Sequence, residues 1–75
     1  MDPDECLKNI RAQLTAIKDL DDDIDTAVEN YDYDSASDLR NSREEYYESL
    51  TYQVAALDEW MSKGGFMPKA WAKNW

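Results

Sequence analysis

Apolar residues recur every three or four positions along most of this chain of 75 residues. The first row follows Asp2 and Pro3, a residue that commonly caps a helix and one that fits the first helical position. Steps that alternate between three and four residues are typical of a helix that packs along one seam. We therefore predict a helix over residues 3–30. Its seam comprises Leu7, Ile10, Leu14, Ile17, Ile24, Val28 and Tyr31.

A second, mostly apolar row predicts a helix over residues 35–63. The row comprises Leu39, Arg43, Tyr46, Leu50, Gln53, Leu57 and Trp60, and a neighbouring row adds Tyr47, Val54 and Met61. The apolar face is therefore wider than two helices alone need. Residues 31–34 form an acidic bend between the helices, and either Asp34 or Ser35 is expected to cap the second helix.

The bend is short enough to make the two helices antiparallel neighbours. Folding the chain about residue 33 places Leu7 near Trp60, Leu14 near Gln53, and Asp21 near Tyr46 and Arg43. Asp21 and Arg43 are the charged interruptions of the two seams, and we predict that they form an ion pair. The alternative is that both side chains turn to solvent at the edge of the seam.

The second helix is expected to end at Gly64 and Gly65, because glycine readily adopts the left-handed conformation of a helix stop. Phe66 is then placed to pack back on the last turn, and Pro68 can start a short helix in the tail, residues 64–75. The fold predicted for residues 1–75 is one all-α domain, an antiparallel helical hairpin with a short C-terminal helical tail.

A two-helix hairpin leaves one side of its seam open to water. Either two hairpins dimerise into a four-helix bundle, or the tail folds back as a third element. The wide apolar face favours dimerisation, because a domain of this size gains little net stability from a core of its own. The residues expected to build the shared core are Leu7, Ile10, Leu14, Ile17, Ile24, Val28, Leu39, Tyr46, Leu50, Val54 and Leu57.

The composition excludes several kinds of site. Cys6 is the only cysteine and the chain has no histidine, so it cannot build a disulfide framework, a Cys/His zinc site or a nucleophile–His pair. We expect no enzymatic activity and no cofactor. Cys6 is expected to be a reduced thiol beside the core, with an intermolecular disulfide as the alternative.

The N-terminus is acidic, unlike a signal peptide, and no run approaches the roughly 18 apolar residues of a membrane span. These features indicate a soluble, cytoplasmic protein that does not bind membranes.

Residues 19–38 contain nine acidic residues and no basic one, and the net charge of the chain is −9. This charge argues against direct binding of nucleic acid, whose phosphates would be repelled. The run is either a solvated face or a docking surface for a basic host protein. A specific version of the second hypothesis is that the acidic surface mimics nucleic acid. An EF-hand calcium loop is rejected, because Ile24 replaces the required glycine and Asn30 the final glutamate. The candidate partner-binding residues are Asp19, Asp22, Asp23, Asp25, Glu29 and Asp32.

The C-terminal segment is basic and aromatic. It combines Lys63, Lys69 and Lys73 with Trp60, Phe66, Trp71 and Trp75. Such a mixture can stack on nucleic-acid bases or lie at a membrane interface, but the segment is short and the chain is acidic. We expect the aromatic residues to pack over the open end of the hairpin near Leu7 and Ile10, in the same chain or in a second copy. The alternative is an exposed patch that binds a different protein.

Residues 56–71 read ALDEWMSKGGFMPKAW. This stretch resembles the C-terminal segment of short proteins encoded by actinobacteria and their phages, which carry an LDxW(L/M)SxGGF(L/M)PxxW pattern. The resemblance covers about a fifth of the chain. It implies a phage or actinobacterial origin and a cytoplasmic setting, and it brings no catalytic residues.

The functional hypothesis is a non-enzymatic helical interaction module that binds itself and a host or phage protein, by analogy with small phage proteins that redirect host factors. The alternative is an acidic mimic of nucleic acid that inhibits a DNA- or RNA-binding protein.

Overall fold

The computed structural model describes residues 2–72, which form two long helices and one short helix. Helix α1 spans Pro3–Glu29, α2 spans Tyr33–Ser62 and α3 spans Lys69–Ala72, and the described residues contain no strand. Helices α1 and α2 pack against each other as a hairpin, and the Cα atoms extend over 49 × 22 × 14 Å. The predicted all-α hairpin with a short helical tail is confirmed for this part of the chain.

Helix α1 begins as predicted. The Asp2 carboxylate accepts hydrogen bonds from the backbone N–H groups of Asp4 at 3.0 Å and Glu5 at 3.3 Å, and Pro3 occupies the first helical position. These bonds satisfy two of the N–H groups that have no partner inside the helix.

Among residues 2–72, no helix is long and apolar enough to cross a membrane.

The bend between the long helices is tighter than predicted. Helix α1 ends at Glu29, and Tyr31 adopts the left-handed conformation with φ 58°. That conformation costs about 1–2 kcal/mol for a residue other than glycine. The turn is held by the Asp32 N–H, which donates to the Ala27 carbonyl at 2.8 Å.

Helix α2 starts two residues earlier than predicted, and its cap is Asp32 rather than Asp34 or Ser35. The Asp32 carboxylate accepts from the backbone N–H of Ser35 at 3.2 Å. The left-handed turn at Tyr31 brings the chain to the start of α2 within one residue, which leaves Asp34 and Ser35 already inside the first turn.

The capping interaction should make stability depend on pH. The hydroxyl and the backbone N–H of Ser35 favour the charged form and lower the pKa of Asp32 below its ordinary value of 3.8. A lowered pKa in the folded state stabilises the fold above pH 3.8, and this contribution is lost as the pH falls through the folded-state pKa. At pH 6, Asp32→Asn should therefore melt about 2–4 °C below the wild type, and the difference should vanish in strong acid. Circular dichroism melts across this pH range measure it; a constant difference would contradict the prediction.

The core lies between α1 and α2. Its buried apolar side chains are those of Cys6, Leu7, Ile10, Ile17, Ile24, Ala27, Ala36 and Leu57. The Cys6 thiol donates to the Gln53 carbonyl oxygen at 3.3 Å, and burial raises its pKa. Cys6 is therefore buried in the core, as predicted, and its reduced state stays a prediction.

The pairing of the helices differs from the predicted pairing by about one to two turns. Gln13 donates to the Ser49 hydroxyl at 2.6 Å, and Cys6 lies against Gln53, which was expected near Leu14. Because the bend is centred near residue 31 and not residue 33, the partner of each α1 residue moves toward the start of α2. Leu14, which was predicted in the seam, lies outside it and is 51% exposed.

The segment after α2 folds back on the hairpin. Gly64 adopts φ 89° and ends the helix, as predicted. The Trp60 indole N–H donates to the Phe66 carbonyl at 2.9 Å, and the two rings pack edge to face with centroids 5.6 Å apart. The predicted return of Phe66 onto the last turn of α2 is confirmed.

The tail then docks on the start of α1. Pro68 is fully buried, and the Lys69 backbone N–H donates to the Asp4 carboxylate at 2.7 Å. The structure therefore places the tail against its own chain. The short helix expected after Pro68 is observed as Lys69–Ala72, and residues 73–75 of the tail lie outside the described part of the chain.

Candidate interaction surface

An apolar groove runs along one side of the hairpin, and we call it the open groove. It consists of two adjoining cavities of about 350 and 500 Å³, which share Val54 and Asp58. The lining residues are Ile10, Leu50, Thr51, Val54, Ala55, Leu57, Asp58, Met61 and Trp71. Val54 lies at the junction of the two cavities and is 49% exposed, although it is one of the most apolar residues of α2.

Helix α2 lines both cavities of the open groove, and α1 contributes Ile10 to the smaller one. On α2, Leu50, Val54, Leu57 and Met61 follow one another at steps of three and four residues and so share one side of the helix. On α1, Leu14 lies one turn after Ile10 and is 51% exposed, but it lines neither cavity. The floor is closed by the core, because Ile10 and Leu57 are buried.

Trp71 closes the groove at the end away from the bend. Its indole lines the cavity together with Ile10 and Met61 and is 39% exposed. The expectation that tail aromatics cover the open end of the hairpin near Leu7 and Ile10 is met in the same chain by Trp71, and Ala70 lies beside Leu7. Trp75, the other tryptophan expected there, lies outside the described residues.

The ion pair predicted between Asp21 and Arg43 is formed, with a nitrogen–oxygen distance of 2.5 Å. The bond to Asp21 raises the pKa of Arg43, and the guanidinium also lies 5.7 Å from the ring centroid of Tyr47. Tyr47 precedes Val54 by seven residues and therefore lies on the same side of α2. The pair thus marks the place where the apolar groove gives way to the charged half of the hairpin.

The opposite side of the hairpin is polar. A cavity of about 400 Å³ there is lined by Gln13, Ser42, Glu45, Tyr46 and Ser49. Tyr46 was expected in the apolar core shared by two copies, which stays a prediction. In the single chain it is 40% exposed and lies at the level of Gln13, which donates to Ser49.

Most of the other residues expected to join two copies are used inside one hairpin. Leu7, Ile10, Ile17, Ile24 and Leu57 are buried in the monomer. Val28, Leu39 and Leu50 are half-buried, which leaves Leu14 and Val54 as the exposed members of the predicted set on the groove side. The surface available to a second copy is therefore smaller than the sequence predicted.

The predicted acidic surface is exposed. Its members are Asp19, Asp22, Asp23, Asp25, Glu29 and Asp32. None of them forms an ion pair with another described residue, and Asp32 also caps α2. Within residues 2–72, no group of acidic and cysteine side chains is arranged to hold a metal ion. Their binding of a partner stays a prediction.

The net charge of the hairpin is confined to one half. Residues 19–45, around the bend, carry eleven acidic and two basic residues, which accounts for the whole net charge of −9. The rest of the sequence carries six acidic and six basic residues. The open groove lies in the neutral half, so the two candidate surfaces are separate.

Three groove residues, Thr51, Ala55 and Asp58, were not singled out by the sequence, and Asp58 is the charged one. It lines both cavities and therefore places a carboxylate beside an otherwise apolar surface. A signal was present, because Asp58 follows Val54 by four residues and precedes Met61 by three.

Comparison of the chain with models of protein families, with curated proteins and with solved structures finds no match in any of the three. The resemblance of residues 56–71 to actinobacterial and phage segments therefore stays an expectation. Inferences about function rest on the geometry of this chain.

Proposed function

We propose that the chain is a non-enzymatic helical interaction protein and that its open groove binds a second copy to complete a four-helix bundle. The single observation that carries the proposal is Val54, a valine 49% exposed at the centre of an apolar groove between two helices. Apolar side chains at steps of three and four residues on a helix are the usual contact surface for another helix.

The small core of one hairpin supports this proposal. Among the described residues, the connected cluster of buried side chains contains Cys6, Ile10 and Leu57, with half-buried Leu50, Trp60 and Met61 packed around it. A single core of this size contributes little net stability, and self-association is a common remedy for small domains. A second copy would cover Leu50 and Met61 and enlarge that cluster directly.

The size of the groove indicates a weak dimer. The α2 wall of the groove, from Leu50 to Met61, is about 17 Å long at 1.5 Å per residue, whereas the hairpin extends over 49 Å between Cα atoms. Two copies that meet over this stretch would bury less than about 1,000 Å² in total, below the range of most specific interfaces. A dissociation constant in the micromolar range is the corresponding expectation, since area alone does not fix affinity.

Self-association should strengthen with salt. Each copy carries a net charge of −9, so salt screens the repulsion between copies while leaving the apolar contact in place. We expect the dissociation constant to fall roughly 3–10-fold when NaCl rises from about 50 to about 500 mM. Sedimentation equilibrium over a concentration series measures it. A monomer at all concentrations up to about 1 mM would overturn the proposal.

A second candidate function is mimicry of nucleic acid by the bend half. The observation that favours it is the confinement of the whole net charge to residues 19–45, with the acidic side chains exposed and largely unpaired. On a helix, residues three or four apart lie about 5–6 Å from each other, which is close to the spacing of phosphates along a strand. A basic groove that binds nucleic acid would be attracted to such a surface.

Competition with DNA tests the mimicry. The chain should displace a labelled duplex from a sequence-independent DNA-binding protein, with fluorescence anisotropy as the readout. Asp22→Lys with Asp25→Lys should weaken displacement at least about 10-fold. The control is Glu5→Lys with Glu48→Lys, which has the same net charge but leaves the bend intact. Equal effects of the two double variants would mean that only the overall charge matters, and would contradict the mimicry hypothesis.

A further inference from the structure

We infer that the two copies of this dimer pack antiparallel and staggered, overlapping through their groove halves alone, so that the acidic bends project at opposite ends. The inference rests on the proposed self-association. It adds the arrangement of the copies and the surface that the dimer presents to others.

The first observation is that the open groove occupies only one half of the hairpin. Its α2 wall runs from Leu50 to Met61, and Trp71 closes it near the end of the molecule. Toward the bend, the same side of the hairpin carries Tyr47 and the Asp21–Arg43 ion pair. A partner that covers the groove half buries Leu50, Val54 and Met61, whereas the exposed large side chains of the bend half are tyrosines among charged residues.

The second observation is the charge of the bend half. In a parallel arrangement the two bends lie side by side, and neighbouring helices in a bundle are about 8–10 Å apart. That separation is about one Debye length at physiological salt, so the carboxylates of residues 19–45 would repel each other with little screening. The parallel arrangement is therefore disfavoured.

Full overlap of antiparallel copies is disfavoured for a different reason. It would lay the bend half of one copy over the groove of the other and cover Val54 with the region of Asp21 and Arg43. Both partners of that pair are partly exposed, at 46% and 28% of their side chains, and covering them with apolar residues would remove their water without a replacement.

A staggered antiparallel pair avoids both the repulsion between the acidic bends and the removal of water from the Asp21–Arg43 pair. A two-fold axis near Leu14 and Val54 places each groove on the other, as a self-complementary interface requires. Tyr33 lies 21 residues before Val54 on α2, which is about 32 Å at 1.5 Å per residue. The two bends would then lie about 60 Å apart, and the dimer would offer two separate acidic surfaces to basic partners.

Distances between spin labels distinguish the arrangements. Ser37 and Ser62 are exposed residues near the two ends of α2, and each is labelled in turn as Ser37→Cys or Ser62→Cys in a Cys6→Ser background. From a rise of 1.5 Å per residue, the staggered pair predicts about 50 Å between Ser37 labels and about 25 Å between Ser62 labels. Full antiparallel overlap predicts about 30 and 45 Å, and a parallel pair predicts both below about 25 Å.

Double electron–electron resonance at a concentration where sedimentation shows a dimer gives these distances. A Ser37 distance below about 35 Å in a dimer overturns the arrangement and leaves the self-association standing. A monomer overturns both. If Cys6→Ser lowers helix content, the wild-type Cys6 is kept, because this buried thiol is only 6% exposed and labels slowly.

Discussion

Replacing Val54 by lysine is expected to abolish self-association while leaving the hairpin folded. Val54 is half-exposed in the single chain, so a lysine there can turn its ammonium to water when the chain is monomeric. In the proposed dimer the same ammonium would lie at the centre of an apolar contact, where an unpaired charge is costly. We expect the dissociation constant to rise at least about 100-fold, or about 2.7 kcal/mol.

The matched control is Tyr52→Lys. Tyr52 also lies on α2 but is 74% exposed and lines none of the described cavities of the open groove. Both variants raise the net charge by one unit, which should slightly favour association of an acidic chain. Loss of the dimer in Val54→Lys but not in Tyr52→Lys would therefore point to the groove. Sedimentation equilibrium and circular dichroism together report mass and helix content. Wild-type affinity in Val54→Lys would exclude the open groove as the interface.

The helices could be predicted from the sequence because their signals are local. Asp2 and Pro3 at the start of α1, and Gly64 at the end of α2, act within one turn of the chain and do so in the structure. The start of the tail could be predicted for the same reason, because Phe66 packs on Trp60, which is close to it in sequence. Local capping chemistry needs no knowledge of the rest of the fold.

The open side of the hairpin was harder to predict. The bend depends on Tyr31 in a left-handed conformation, which glycine or asparagine would signal but tyrosine does not. A shift of the bend by two residues changes every pairing between α1 and α2. Gln13 contacts Ser49 in the seam while the adjacent Leu14 lies outside it, because neighbouring helical residues point about 100° apart. The position of the groove therefore follows from the register, which heptads alone do not fix.

The Asp21–Arg43 pair shows what a pattern of interruptions can predict. Two charges in otherwise apolar seams were close enough under either pairing for their long side chains to meet. A half-exposed pair of this kind contributes little net stability. The ion pair instead favours one alignment of α1 against α2, because a shifted alignment would leave Arg43 against apolar residues.

Replacing Gly65 by alanine is expected to release the tail. A Cβ atom built on Gly65 overlaps the indole ring of Trp60, and that ring is held by its hydrogen bond to the Phe66 carbonyl and by the Phe66 ring. To make room, either Trp60 leaves its position or the chain from Gly65 onward moves away. Both outcomes break contacts that keep α3 on the start of α1.

The cost of Gly65→Ala should be about 2–3 kcal/mol, from the overlap and the lost hydrogen bond. For a domain of this size that corresponds to a melting midpoint lower by about 10–20 °C. Trp71 should leave the groove, so tryptophan fluorescence should shift to the red in the folded variant. Thermal melts followed by circular dichroism and by fluorescence measure the two effects separately.

Gly64→Ala is the matched control for this prediction. Gly64 adopts φ 89°, but a Cβ there has no neighbouring atom within 4 Å. Its cost is therefore backbone strain alone, about 1–2 kcal/mol, with the tail still docked and the fluorescence unchanged. If the two variants melt together with the same emission, the overlap with Trp60 does not hold the tail. If Gly65→Ala alone shifts the emission and also changes the dimer dissociation constant, Trp71 is part of the contact between copies as well as the end of the groove.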